Sequence, residues 1–272
     1  MHPTATGKNY LLSVSIPIVI VLIGLYVFAQ FVRRTSMFVP SRFPEGAWDA
    51  RGAEDVSFTT SDGVRLHGWL FRSPAAHVLL VYCHGNAGNI TERAPIAAEL
   101  ARRGISVLLF DWRGYGKSEG QPTESALFRD ALGAYDCART QTTGDIAVYG
   151  ESLGGPYAAY IAAHRNVRCV VIENSFPSLC AMGNTLYHPL PLGWFAPFAL
   201  RTTDWLNKAG VPVLVMHGKR DAVIPFPLGM ELYNGLRVPK ELLVSETGGH
   251  CEMANAEAAR YYDTIVRFVL GK

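Results

Sequence analysis

Cysteine is scarce and unpaired in this chain. Cys83, Cys137, Cys169, Cys180 and Cys251 are odd in number, and no two of them stand in a C-x-x-C pair. Neither a zinc site nor a dithiol redox motif is therefore implied. Cys83 and Cys169 lie in apolar, strand-like runs and read as buried thiols, a usage that fits a reducing compartment. A surplus of one charge is lacking too. The chain carries 25 basic and 23 acidic residues, a formal charge of +2. Nucleic acid is not an expected partner, because that would need a clustered basic face. The sequence shows no internal repeat and no low-complexity tract. Apolar residues, by contrast, make up 49% of the 272 positions, enough for a large core and too many for wholesale disorder. The length allows one α/β domain with additions.

Charge is missing altogether from Tyr10 to Ala29, where Ile, Val and Leu dominate. About twenty helical residues cross a bilayer core, so residues 1–34 are expected to form a single-pass membrane anchor. Pro17 is tolerable in such a helix, and Tyr10, Tyr26, Phe28 and Phe31 lie near its ends, where aromatic rings favour the interface. The rival reading is a cleaved signal peptide, with Lys8 as a modest basic start and Val27-Phe28-Ala29 as its cleavage site. The apolar run is long for that purpose. Lys8 precedes the run and Arg33, Arg34 and Arg42 follow it, so the positive-inside bias places the rest of the chain in the cytoplasm. Residues 35–54, with Pro40, Pro44 and Gly46, read as a connector.

From residue 55 to 272 strand-like and helix-like runs alternate. Strands are expected at Asp55–Thr60 and Val64–Phe71, joined by the turn Ser61-Asp62-Gly63. Further strands are expected at Val78–Tyr82, Ile105–Phe110, Ile146–Tyr149, Val167–Ile172, Val211–Met216 and Glu241–Ser245. Helices are expected near Thr91–Arg103, Glu124–Thr140 (with Thr123 as N-cap), Pro156–Ala163, Leu228–Leu236 and Ala254–Leu270. This pattern predicts an α/β fold, a mostly parallel sheet with helices on both faces and an antiparallel edge. Residues 176–210 break the alternation. They carry Pro189, Pro191 and Pro197 beside several large apolar residues, and are too long for an ordinary loop. They are expected to form a small cap.

The run Val148-Tyr149-Gly150-Glu151-Ser152-Leu153-Gly154-Gly155 is the most informative in the chain. It places Gly-x-Ser-x-Gly between a strand and a helix, the pattern of a nucleophile elbow. The flanking glycines allow a turn too tight for Cβ atoms, and the helix N-terminus behind the serine favours developing negative charge. A serine hydroxyl needs a base, and the base needs an orienting acid. With such an elbow their order is Ser, then Asp or Glu, then His. Asp221 follows the strand ending Met216-His217-Gly218, and His250 follows the turn Gly248-Gly249, both at carboxyl ends of parallel strands. Glu173 occupies an alternative acid position, or else is a buried carboxylate bracing a loop. His84 and His217 read as structural, through ring hydrogen bonds to backbone. Asp111 reads as a loop anchor, with Arg113 as its partner. Two oxyanion donors are expected: the Leu153 N–H, and an N–H from the loop His84-Gly85-Asn86-Ala87-Gly88-Asn89, for which Asn86 is the choice. The Asn86 side chain is a lesser candidate.

Taken together, His84–Asn89, Asp111–Gly120, Gly150–Gly155, Glu173–Phe176 and the His217–Pro225 loop resemble the α/β-hydrolase superfamily, and more narrowly its membrane-anchored ABHD-type serine hydrolases. The resemblance covers about Asp55 to Leu270. It implies Ser152, Asp221 and His250 as a triad, Asn86 and Leu153 as oxyanion donors, and hydrolysis of an ester, thioester or amide without metal or organic cofactor. The leading expectation is an acyl-ester or thioester hydrolase acting on a small-molecule or lipid-like substrate. A serine peptidase for short peptides is the alternative, and a non-catalytic binding protein that keeps the fold is the third reading. Relatives range over many substrates, so fold alone does not choose one.

Overall fold

The computed structural model describes residues 5–49, 52–74, 76–190, 192–195 and 200–272, without the side chains of 5–14, 32–36, 192 and 195. Its strands are β1 (Val39–Pro40), β2 (Ala53–Thr59), β3 (Arg65–Phe71), β4 (Val78–Cys83), β5 (Ala87–Gly88), β6 (Ser106–Phe110), β7 (Asp145–Glu151), β8 (Val170–Glu173), β9 (Val213–Gly218) and β10 (Lys240–Ser245). Its helices are α1 (Ala5–Ser36), α2 (Ala94–Arg102), α3 (Glu124–Gln141), α4 (Gly154–His164), α5 (Leu179–Leu186), α6 (Thr202–Ala209), α7 (Phe226–Gly235), α8 (Met253–Ala256) and α9 (Ala258–Leu270).

Eight strands form one sheet in the order β10-β9-β8-β7-β4-β6-β3-β2. β2 and β3 are antiparallel to their neighbours, and every other pairing in this sheet is parallel. The period-two alternation of a strand divides its side chains between two cores. From β4, Leu79, Val81 and Cys83 join a core with α3, α4, α6 and α7, whereas Val78, Leu80 and Tyr82 join one with α2, α8 and α9. Both faces being covered explains why the parallel strands read as continuous apolar runs. Thr123 caps α3 as expected, its Oγ accepting from the Ala126 N–H at 3.3 Å.

Two expectations need correction. Residues 176–210 are not one insertion. Leu200 and Leu206 are buried in the core shared with α4, so α6 belongs to the helical layer and completes the crossover from β8 to β9. Among the described parts, α5 has no buried residue, and Leu186 at its end and Leu190 and Trp194 beyond it are exposed. Pro189 follows a cis peptide bond, and Pro191 and Pro197 fall outside the described residues. Arg113 does not pair with Asp111. Its guanidinium forks between Asp130, at 2.6 Å, and Asp62, at 2.9 Å, tying α3 to the β2–β3 turn.

The expected membrane span is not found: among the described residues no helix is long and apolar enough to cross a membrane. The backbone of α1 runs from Ala5 to Ser36, but its side chains are described only over 15–31, short of the roughly twenty residues a crossing needs.

Candidate active site

β7 stops at Glu151 and α4 starts at Gly154, which leaves Ser152 and Leu153 in the turn. The φ of Ser152 is +52°, in the left-handed region that costs a non-glycine residue strain. The surrounding structure holds it there. The Ser152 N–H donates to the Glu173 carbonyl at 2.9 Å, and the Ser152 carbonyl accepts from Ser175 Oγ at 2.8 Å and from the Gly155 N–H at 3.0 Å. Gly150 and Gly155 are needed for close approach. A Cβ on Gly150 would lie 2.6 Å from the Gly155 Cα, and one on Gly155 would lie 2.2 Å from Ser175 Oγ. The elbow reading of the local sequence therefore has a steric cause, namely that α4 packs directly onto β7 and β8.

Three side chains from three strand ends meet here. His250 Nε2 stands 3.1 Å from Ser152 Oγ, and His250 Nδ1 stands 2.8 Å from Asp221 Oδ2. Asp221 Oδ1 accepts from the Val223 and Ile224 N–H groups, each at 2.8 Å, and Oδ2 also accepts from Asn174 Nδ2 at 2.7 Å. Burial opposes the charge on Asp221, but the His250 hydrogen bond and charge, with these backbone donors, hold its carboxyl below the ordinary value. An ionised carboxylate only accepts, so the proton on the His250 ring resides on Nδ1. Nε2 then carries the free lone pair and accepts from the serine hydroxyl.

Sequence reasoning assigned no role to Asn174. Its φ is +46°, and its amide bridges Asp221 Oδ2 and the Gly249 carbonyl, the latter at 3.0 Å, so it ties the acid loop to the histidine loop. The only available signal was its place just after a strand, beside Glu173. His217 is fully buried and donates through Nε2 to the Ile224 carbonyl at 2.9 Å, in line with the expected structural role.

Glu173 is hydrogen-bonded to two phenols and not to the histidine. Its Oε2 accepts from the Tyr261 hydroxyl at 3.0 Å and from the Tyr149 hydroxyl. Burial pushes this carboxyl up to about 7 from an ordinary 4.5, against the two phenols, which lower it. A carboxyl raised in the folded state contributes its full stability below the unfolded value and loses it as pH climbs through the folded one. Glu173→Gln keeps the neutral form at every pH. It should gain on the wild type between about pH 4.5 and 7 by up to roughly 3 kcal/mol. Urea unfolding at pH 5 and pH 8 measures this, and a difference that does not grow with pH would show that burial does not hold the proton on Glu173.

Glu151, just before the serine, is the opposite case. It is buried but paired with Arg93, Nη2 to Oε1 at 2.7 Å, and accepts from the Tyr82 hydroxyl at 2.8 Å. Burial opposes its charge, but Arg93 and Tyr82 outweigh that and hold the carboxyl at about 2. Cys251, next to His250, is no rival nucleophile: desolvation and the Glu151 carboxylate push its thiol well above its ordinary value.

Of the two expected oxyanion residues, Leu153 follows the serine directly and Asn86 follows Gly85 in the loop after β4. Leu153 caps α4 with φ −59°. Asn86 lies in the loop after β4, where a Cβ on Gly85 would stand 3.3 Å from the Ser152 Cβ. His84 is fully buried, its ring held neutral by burial at about 3, and Nδ1 donates to the Gly85 carbonyl at 2.9 Å. Asp111 anchors the same loop by accepting from the Ile90 N–H at 3.0 Å. Among the described residues no three His, Cys, Asp or Glu side chains gather as a metal site.

Residues 74–176 match the family model described as serine aminopeptidase, S33. An uncharacterised protein of Mycobacterium tuberculosis is 32% identical over 259 residues, which cover 93% of this chain and 92% of that one. The α/β hydrolase domain-containing protein WAV2 of Arabidopsis thaliana is 31% identical over 66% of this chain and 65% of its own. A solved esterase of Pyrococcus furiosus superposes with a TM-score of 0.70 at 23% identity, covering 86% of this chain and 97% of that one. With the eight-stranded sheet and the elbow at the end of β7, these likenesses show that the chain belongs to the serine α/β hydrolases of ABHD type.

Proposed function

We propose that this protein hydrolyses carboxylic esters or thioesters through an acyl-enzyme on Ser152. The observation that carries the reading is the Ser152–His250–Asp221 relay, with contacts of 3.1 and 2.8 Å and a buried, ionised acid. His250 Nε2 takes the Ser152 proton as Oγ bonds to the carbonyl carbon, and the carbonyl electron pair moves onto oxygen. The N–H groups of Leu153 and Asn86 receive that oxyanion. The intermediate collapses, the bond to the leaving oxygen or sulfur breaks, and the proton on His250 passes to it. Water then repeats the sequence and releases the acid and free serine.

A peptidase reading has one observation in its favour, the description of the matching family model. An aminopeptidase needs a carboxylate to hold the substrate ammonium. Of the buried carboxylates around the serine, Asp221 is held by His250, and Glu151 and Glu173 are already engaged by Arg93 with Tyr82 and by Tyr149 with Tyr261. This favours the ester reading.

An apolar acyl substrate and contact with a membrane complete the proposal. Ile18, Val19, Ile20, Val21, Leu22 and Ile23 follow one another around α1 and are all exposed. A helix apolar on all sides is best covered by lipid. The orientation proposed is the cytoplasmic one, from the arginines at 33, 34 and 42. The test is hydrolysis of p-nitrophenyl esters from acetate to palmitate by the full chain, beside amino-acid p-nitroanilides, in membrane and soluble fractions. Ester turnover in the membrane fraction, with an optimum at a definite chain length, is expected. Turnover of the anilides alone would replace the ester reading with the peptidase one.

A further inference from the structure

The connector that follows α1 is not a passive linker. β1 pairs in parallel with β5, inside the loop that carries Asn86. The Val39 N–H donates to the Asn86 carbonyl at 2.9 Å and the Ser41 N–H to the Gly88 carbonyl at 3.0 Å. Asn89 Nδ2 returns to the carbonyls of Ser41, at 3.3 Å, and Glu45, at 2.9 Å. On its other side the connector exchanges bonds with Gly116: the Gly116 N–H donates to the Ser41 carbonyl at 2.9 Å and the Phe43 N–H to the Gly116 carbonyl at 3.0 Å. Both ends are fastened. Met37 is buried in the core, and the Trp48 ring lies 5.4 Å from that of Trp69 with Lys117 Nζ 5.0 Å from its centre.

The consequence falls on one residue. Asn86 joins two peptide planes, and each is pinned. In the plane before it, the Gly85 carbonyl accepts from the buried His84 ring at 2.9 Å. A trans peptide points its N–H opposite to its carbonyl, so this contact sets the direction of the Asn86 N–H. In the plane after it, the Asn86 carbonyl accepts from Val39 N–H and from Tyr115 Oη, the latter at 2.7 Å. Fixing both planes fixes the backbone angles of Asn86. A short glycine-bearing loop has no ladder of its own to do this. The connector supplies it.

We propose that residues 39–41 are a positioning element of the oxyanion site, acting through the Asn86 carbonyl. The inference rests on the serine-hydrolase reading above. It makes the site incomplete without a segment that precedes the α/β sheet in sequence, and it places only Met37 and Phe38 between α1 and the strand that orients the oxyanion donor.

The test uses the full chain, three substitutions around Asn86 and Ser152→Ala as the control. Val39→Pro deletes the N–H that Asn86 accepts from, and Tyr115→Phe deletes the hydroxyl. Each should lower kcat about tenfold and the pair about a hundredfold, the scale of a misplaced catalytic group, with KM for a p-nitrophenyl ester held within about twofold. Val39→Ala restores the N–H and should recover the turnover lost in Val39→Pro, since the Val39 side chain is half exposed and contributes little packing. Melting curves establish that each variant is folded. Unchanged kcat in folded Val39→Pro and Tyr115→Phe, with Ser152→Ala inactive, would overturn the inference and leave the hydrolase reading standing. Equal losses in Val39→Ala and Val39→Pro would overturn it too. Turnover retained in Ser152→Ala would instead remove the hydrolase reading, and the inference with it.

Discussion

Ser152→Ala should lower kcat for an ester substrate by at least about four orders of magnitude. The reason is that the serine oxygen stands at hydrogen-bond distance from its base. His250 Nε2 lies 3.1 Å from it. Removing Oγ leaves the histidine with no oxygen to activate but water. The fold should hold, because the elbow is kept by backbone contacts of residue 152 to Glu173, Ser175 and Gly155 and not by the hydroxyl. Alanine at φ +52° carries the same Cβ strain as serine. The melting temperature should therefore change little, and covalent capture by a fluorophosphonate should disappear. Capture that persists in Ser152→Ala would place the nucleophile elsewhere.

Asp221→Asn is expected to cost about four orders of magnitude in kcat by a different route. Asp221 Oδ1 accepts two backbone N–H groups, and an asparagine oxygen can keep both. The new amide nitrogen then replaces Oδ2, facing His250 Nδ1 at 2.8 Å and Asn174 Nδ2 at 2.7 Å. It can only donate. His250 must turn its lone pair to Nδ1 and carry its proton on Nε2, where it cannot accept from serine. The Asn174 amide loses one of its two acceptors as well and keeps only the Gly249 carbonyl, which weakens the tie between the acid loop and the histidine loop. Glu173→Gln is the matched control. Glu173 touches two phenols and not the imidazole, so less than about a tenfold loss is expected, well short of the effect of removing a triad acid. Steady-state kinetics on both variants decides between them, and a larger loss in Glu173→Gln would transfer the acid role to that residue.

The choice between these two carboxylates was open in the sequence for a physical reason. Both follow parallel strands, and sequence order permits either. What separates them is the partner across the site. β8 ends beside Tyr149 and, through α9, Tyr261, which lies 88 residues further along the chain. Those phenols take Glu173 out of reach. The same limit applies to Arg93 and Glu151, 58 residues apart, and to Arg113, whose partners Asp62 and Asp130 lie on opposite sides of it in sequence. Ion pairs of this kind depend on which strands become neighbours, and no local pattern encodes that. The cap region failed as a single unit for a related reason. Its proline and aromatic content was visible, but whether α6 packs on α4 or stands apart is a matter of tertiary packing.

The sequence alone determined what depends on neighbours along the chain. Alternation of continuous apolar strands with helices predicted a mostly parallel sheet, since a strand covered on both faces must be apolar throughout. The elbow was legible because Gly150, Ser152 and Gly154 are within five residues of one another and their steric demands are local. Tertiary structure decided how distant segments meet. It brought His250 and Asp221 to the serine from 98 and 69 positions away, put Asn174 between them, and turned the connector at residues 39–41 into a strand beside Asn86. The bonds from Val39 and Ser41 to Asn86 and Gly88 run between backbone atoms, which every residue carries, so side-chain pattern holds no record of them.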